Sequence, residues 1–143
     1  MKPRAENPAV TPEMIRERIQ GTFPGDLGIE PLEVSKELSR GRLVADRRHL
    51  HPGGYVHGGV WAAFADTVAA WGTWRNLPVG ADFTTVELKL NVFAPAGPGD
   101  DLIATATPRH IGRSTHVWVV DIHRGDRQVA MFTLTQFVIP PPD

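Results

Sequence analysis

The hydrophobic pattern of this chain changes period near its middle. Residues 57 to about 75 include "GGVWAAFADTVAAWGTW", which is apolar nearly all round. Such a segment predicts a helix enclosed by the rest of the fold rather than one lying on its surface. Its alanines and glycines allow a sheet to approach closely. From residue 84 the period becomes two. Val86, Leu88, Leu90 and Val92 alternate with Glu87, Lys89 and Asn91, the pattern of a half-buried strand. The stretches "DLIATATPR", "STHVWVVDIHR" and "RQVAMFTLTQFVI" continue as strands, separated by turn chemistry at "PAGPGDD", "RHIGR" and "RGD". The tripeptide Arg124–Gly125–Asp126 is therefore read as a hairpin turn and not as an adhesion motif.

Upstream of the long helix the signals are shorter. "TPEMIRERIQG" places Thr11 as a cap, Pro12 at the first helical position and Gly21 as a stop, predicting a short helix over 11–21. "LGIEPLEVSKELSRGRLVADRRHL" reads as two strands joined by a polar turn near Ser35–Lys36–Glu37. The first ten residues are polar and proline-containing and are expected to be loose. No repeat or linker interrupts the chain, so residues 1–143 are expected to form one domain. One buried helix followed by an antiparallel run of strands is an α+β pattern.

Composition narrows the functional classes. A chain of 143 residues with 41% hydrophobic content can bury a real core. A net charge of −1 weighs against a dedicated nucleic-acid or anionic-membrane binder. There is no cysteine, which excludes disulfides, thiolate metal sites and a cysteine nucleophile. The N-terminus lacks the apolar core of a signal peptide and no stretch reaches a membrane span. A soluble, cytoplasmic protein is the expectation.

The chemistry concentrates around the start of the long helix, in "HPGGYVHGGVWAAFAD" at residues 51–66. A helix N-terminus presents unpaired N–H groups and partial positive charge. With glycine at 58 and 59, no side chain blocks access to those groups, which suits a developing oxyanion such as that of an ester or thioester under attack. Close packing explains the two glycines equally well. Asp66 is the lone carboxylate of the apolar helix. Burial raises its pKa and makes it a better base than a surface aspartate; a structural carboxylate paired with a histidine or a threonine hydroxyl is the plainer alternative. Eight residues of helix separate Gly58 from Asp66, ~12 Å at 1.5 Å per residue. A catalytic carboxylate must come within ~3 Å of the group it serves. One chain therefore cannot combine its own helix start with its own Asp66. Two chains can, if a two-fold axis sets their helices antiparallel and makes two equivalent composite sites.

This segment resembles that of hotdog-fold acyl-CoA thioesterases, in the branch of phenylacetate-degradation and Arthrobacter-type 4-hydroxybenzoyl-CoA thioesterases. The family pattern is Asn-Pro-x-Gly-x-x-His-Gly-Gly with an acidic residue seven positions after the second glycine, matched here by His57, Gly58, Gly59 and Asp66. "TTVELKLNVFAPAGPGDDLIATATPRHIGRSTHVWVVDI" and "RQVAMFTLTQFVI" resemble its later strands and turns, so the likeness runs over roughly residues 28 to 139. The resemblance implies a hotdog fold, an antiparallel sheet wrapped around the long helix, and a homodimer joined edge to edge and often paired into a homotetramer. It implies hydrolysis of an acyl-CoA, with coenzyme A part of the substrate and no separate cofactor. Carried over, Gly58 donates its N–H to the thioester carbonyl, and Asp66 of the partner chain is nucleophile or general base. His57 helps hold the loop or the carbonyl, and Gly59 adjoins the substrate. Thr85 falls near the hydroxyl residue that positions water, with Thr84 one residue away as the alternative. The family tends to place nucleotide contacts near "RHIGRST", which holds Arg109, Arg113 and Ser114.

Other clusters are weighed against this frame. His49, His51 and His57 have no carboxylate at a metal-site spacing, and no metal is expected. Arg40, Arg42, Arg47 and Arg48 read as a charged sheet face or edge. Trp61, Phe64, Trp71 and Trp74 are either core or the lining of an acyl pocket, with Trp61 the one expected to touch substrate. "TFPGDLG" has a superficial likeness to the Phe-Pro-Gly turn of 3-hydroxyacyl-thioester dehydratases, but lies too early and has no catalytic histidine beside it. A dehydratase and a non-catalytic acyl-CoA binding protein are the alternatives to hydrolysis.

His51 stands where the family usually has Asn or Gln. An imidazole donates the same hydrogen bond but also titrates near neutrality. His51→Asn is expected to change the pH profile of turnover; identical rate and profile would remove His51 from the site.

Overall fold

A computed structural model describes residue 7 and residues 9–143. The elements in order are α1 (Pro12–Ile19), α2 (Phe23–Asp26), β1 (Glu30–Val34), β2 (Ser39–Val44), a 3-10 turn (Arg47–His49), α3 (Gly58–Asn76), β3 (Asp82–Val92), β4 (Asp101–Ile111), β5 (Thr115–Arg124) and β6 (Arg127–Ile139). Thr11 accepts the Met14 N–H and Pro12 opens α1, as the sequence signals require. The turn between β1 and β2 closes through Ser35, whose hydroxyl accepts from the N–H groups of Glu37 and Leu38. Arg124–Asp126 is the hairpin turn between β5 and β6, with Arg124 paired to Arg127. Of the ten N-terminal residues expected to be loose, 1–6 and 8 lie outside the described residues. Asn7 donates to the carbonyls of Trp74 and Leu77, and Val10 is buried.

The six strands form one antiparallel sheet in the order β1-β2-β4-β5-β6-β3. This is the hotdog fold: the sheet wraps α3, which packs against strands on both sides of the sheet centre. α3 is apolar on nearly every side because nearly every side is covered: Trp61, Phe64, Ala65, Val68, Ala69, Trp71, Gly72 and Thr73 are all buried. Sheet residues Leu43, Leu102, Ala104, Trp118, Val120, Phe132 and Leu134 complete the core. Two glycines set the helix–sheet spacing. A Cβ on Gly41 would lie 2.6 Å from Val68 Cγ2, and one on Gly72 would lie 2.5 Å from the Trp118 ring. No helix among the described residues is long and apolar enough to cross a membrane.

The four cations of the upstream segment divide. Arg40 and Arg42 lie on β2 and pair with Glu33 and with Asp101 and Glu30, whereas Arg47 and Arg48 sit in the 3-10 turn, outside any strand.

β3 departs from the half-buried strand its alternation predicts. Val86, Leu88 and Val92 are 59%, 44% and 44% exposed. β3 is the last strand of the sheet and pairs with β6 alone among the described residues, which leaves one long edge without a neighbour there. Its register also slips by one residue between Thr85 and Glu87. Such a bulge reverses which residues face inward. Beyond it Leu88, Leu90 and Val92 lie opposite the inward Leu134, Phe132 and Ala130; before it Thr85 and Phe83 lie opposite the inward Gln136 and Val138.

The Gly72 contact gives a direct stability test. Alanine in a helix interior gains about 1 kcal/mol over glycine, but overpacking costs about 1–3 kcal/mol. Trp118 cannot retreat freely, because its indole N–H donates to Thr73 Oγ1 at 2.8 Å. Gly72→Ala is therefore expected to lower stability by about 1 kcal/mol in urea unfolding; a gain would show that the ring moves aside at little cost.

Candidate active site

Two polar clusters lie at separate points along α3. The first surrounds its N-terminus. His57 caps the helix: its Nδ1 accepts the Gly59 N–H at 2.8 Å, and its carbonyl accepts from Val60 and Trp61. These bonds occupy three of the first-turn donors. The Gly58 N–H has no acceptor among the described residues, and a Cβ at Gly58 would meet nothing within 4 Å. The result is one unblocked N–H at the positive end of a 19-residue helix.

Gly58 borders a cavity of about 370 Å³ together with His51, Tyr55, Trp61, Val92 and Phe93. His51 Nδ1 accepts the Gly53 N–H at 2.9 Å, which in the neutral ring leaves the proton on Nε2. Trp61 is only 2% exposed and is chiefly core. The loop beneath is held by His49, which is buried and engaged at both ring nitrogens: Nδ1 accepts from Asp46 N–H, and Nε2 lies 2.7 Å from the Leu27 carbonyl. Its backbone carbonyl accepts the His57 N–H. His49 is thus a brace for the helix start, and its second bond also fixes the segment after "TFPGD".

The second cluster surrounds Asp66, two helical turns on. Thr85 donates its hydroxyl to Asp66 Oδ1 at 2.7 Å. Gln136 Nε2 in turn lies 3.4 Å from Thr85 Oγ1. Because that amide donates to the hydroxyl oxygen, the hydroxyl proton is directed at the carboxylate. The β3 bulge decides which threonine does this: Thr85 faces inward while Thr84 is exposed on the other side. Burial pushes the Asp66 carboxyl above its ordinary pKa, and the Thr85 and Gln136 hydrogen bonds offset this only in part. No charged neighbour contributes to that shift.

Gln136 is the residue that sequence reading passed over. It is fully buried, and its Oε1 has no partner among the described residues. The available signal was phase: Phe132, Leu134 and Val138 mark the inward face of β6, and a glutamine in that register is out of character. Across the sheet it pairs with the buried His116, whose pKa burial lowers.

The structure does not bring Arg109, Arg113 and Ser114 to either cluster. Arg109 is exposed, the Ser114 carbonyl accepts the Val138 N–H, and Arg113 borders a separate 320 Å³ cavity with Lys36, Arg75 and His116. Nor does one chain join Gly58 to Asp66, which remain ~12 Å apart along a continuous helix.

Comparison with known proteins adds the following. The sequence profile of the Thioesterase superfamily matches residues 53–131. A 1,4-dihydroxy-2-naphthoyl-CoA hydrolase of Listeria monocytogenes is 32% identical over 67% of this chain and 77% of its own length. The proofreading thioesterase EntH of Klebsiella pneumoniae is 26% identical over 73% of this chain and 75% of its own. A solved thioesterase from Haemophilus influenzae superposes with a TM-score of 0.89 at 26% identity, covering 95% of both chains.

Asp66 gives a test independent of turnover. A raised carboxyl pKa means the fold favours the protonated form, so the contribution of Asp66 to stability is largest below the ordinary carboxylate pKa and is lost as pH rises through the raised value. Asp66→Asn, uncharged throughout, is expected to melt a few degrees higher than the parent at neutral pH, the margin closing in acid. An equal or lower melting temperature at neutral pH would contradict the burial account.

Proposed function

The chain belongs to the thioesterase superfamily and is a thioester hydrolase; on that premise we propose that it cleaves acyl-CoA thioesters at a site completed by two copies of itself. The observation that carries this reading is the separation of the free Gly58 N–H from Asp66 on one rigid helix. Each is suited to half of thioester hydrolysis and neither can serve the other within a chain. A two-fold axis normal to the sheet at the open edge of β3 would set two copies of α3 antiparallel. It would also cover part of the exposed apolar surface of Val86, Leu88 and Val92 and give the β3 edge the backbone partners it lacks. Further pairing into a tetramer fits the outward face of the sheet, where Met131, Phe137 and Ile139 are exposed.

In this reading the thioester carbonyl oxygen accepts the Gly58 N–H, and the charge that develops on it is stabilised by the helix terminus. Asp66 of the partner subunit acts on the carbonyl carbon, directly or through a water from which it takes a proton. The carbon–sulfur bond then breaks, coenzyme A leaves as the thiol and the free acid is formed. Thr85 occupies Oδ1, so Oδ2 is the oxygen left for the reaction. His51 Nε2–H and the His57 ring stand beside the carbonyl position. Coenzyme A as carrier is supported by the aryl-CoA hydrolase relative. Arg113, beside Lys36 and Arg75, supplies cationic partners for its phosphates.

Complementation between two inactive variants tests the composite site. Gly58→Pro removes the N–H at a position where proline suits a helix, and His57, at φ −64° and ψ 141°, already has the backbone that precedes proline. Asp66→Asn removes the carboxylate. Each alone is expected to lose at least ~100-fold in thiol release from an acyl-CoA panel. Refolded together in equal amounts, half of the dimers are mixed and each mixed dimer has one intact site, so about a quarter of parental activity should return. No recovery from a folded, dimeric mixture would place both halves of the site in one chain. Hydration of an enoyl-CoA without thiol release would mark a dehydratase instead, and tight CoA binding without either reaction a binding protein.

A further inference from the structure

A cavity of about 520 Å³ lies between α1, α3 and the start of β3, walled by Ile15, Ile19, Ala70, Trp71, Trp74 and Phe83. Its position relative to Asp66 is fixed by two periodicities. On α3, Ala70 is one turn beyond Asp66, ~6 Å along the axis, and residues four apart share a face. Trp74 and Leu77 continue that stripe. On β3, Phe83 is two residues from Thr85, on the same side of the strand, and both lie before the bulge, opposite the inward Val138 and Gln136. Helix and strand therefore carry one continuous surface from the Asp66–Thr85 pair into the cavity.

The walls are apolar and aromatic. Trp74 is partly exposed and is held by Arg18, whose guanidinium lies 4.7 Å over the indole ring. The polar groups, Arg18, Thr22 and Asp82, come from the α1 side and the first residue of β3. The stripe from Ala70 to Leu77 spans ~10 Å. That length and volume suit a ring-bearing or medium-length acyl group, and are short for a full-length fatty chain.

We propose that this cavity is the acyl subsite, that it selects apolar acyl groups of this intermediate size, and that Ala70 is its mouth. The inference rests on the thioesterase reading and adds the substrate class. An acyl group whose carbonyl carbon lies against Asp66 enters past Ala70, with its apolar part between Trp71, Trp74 and Phe83. The small side chain at 70 matters because anything larger stands between the carboxylate and the cavity.

The test uses the full chain with acetyl-, hexanoyl-, 3-phenylpropanoyl- and palmitoyl-CoA. The expected order places the hexanoyl and phenylpropanoyl thioesters above the other two in kcat/KM. Ala70→Leu should lower the ratio of phenylpropanoyl to acetyl kcat/KM by about tenfold or more, and Trp74→Ala should move the optimum toward palmitoyl. A ratio cancels any loss of folded enzyme, so ratios unchanged in both variants overturn the proposal. Binding of S-hexyl-CoA, a thioether that cannot be hydrolysed, separates this proposal from the activity itself. If no thioester is cleaved, yet S-hexyl-CoA binds more tightly than CoA and loses that margin in Ala70→Leu, the subsite stands and the hydrolase reading falls. No margin over CoA in the parent overturns the subsite.

Discussion

A helix cannot fold back on itself, and that rigidity governs this protein. Gly58 presents a free donor at the positive end of α3, and Asp66 presents a raised-pKa carboxylate two turns later. The hydrogen bonds that make α3 a helix hold the two apart at ~12 Å. Each cluster is well built locally: His57 and His49 fix the helix start, and Thr85 with Gln136 fixes the carboxylate. In the proposed composite site, each cluster takes its other half from a second copy. The open edge of β3, with apolar side chains on show, lies on the strand that carries Thr85 and so belongs to the same problem.

The carboxylate cluster also shows how a charge is kept on an enclosed helix. Desolvation works against ionisation of Asp66, and the structure answers with neutral donors rather than with a cation. A cation would hold the carboxylate ionised but weaken it as a base, because the pair would lower its pKa. A hydroxyl directed by an amide leaves the pKa raised while fixing one oxygen in place. Burying Gln136 with an Oε1 that has no partner among the described residues carries a cost of its own. The protein thus gives up some stability where the carboxylate is positioned.

Much of this was legible from residue order. The enclosed character of α3 follows from apolar residues on all faces, and the cap of α1 follows from Thr11–Pro12. The spacing of His57, Gly58, Gly59 and Asp66 carried the resemblance to the family, and helix rise alone says that one chain holds Gly58 and Asp66 apart. Other features were not legible, for identifiable reasons. The alternation Val86–Leu88–Leu90–Val92 is a half-buried pattern in any sheet centre, and nothing local says that β3 is an edge. Gln136 is unremarkable in sequence until the inward phase of β6 is known, and the role of His49 depends on a carbonyl 22 residues away.

The choice between Thr84 and Thr85 marks the boundary most clearly. The resemblance implied a hydroxyl near the carboxylate, at Thr85 with Thr84 as the alternative; residue order itself set only the order and length of the elements, because periodicity and turn residues are local. Residue order could not say which one, because continuing the phase of Leu88, Leu90 and Val92 back along the strand points Thr84 inward. A one-residue slip against β6 reverses that phase, and only the pairing of two strands some fifty residues apart in the chain can impose it. The same holds for the cavity beyond Ala70, whose walls come from α1, α3 and β3. Local chemistry chose the residues that could act, and long-range packing chose which of them face one another.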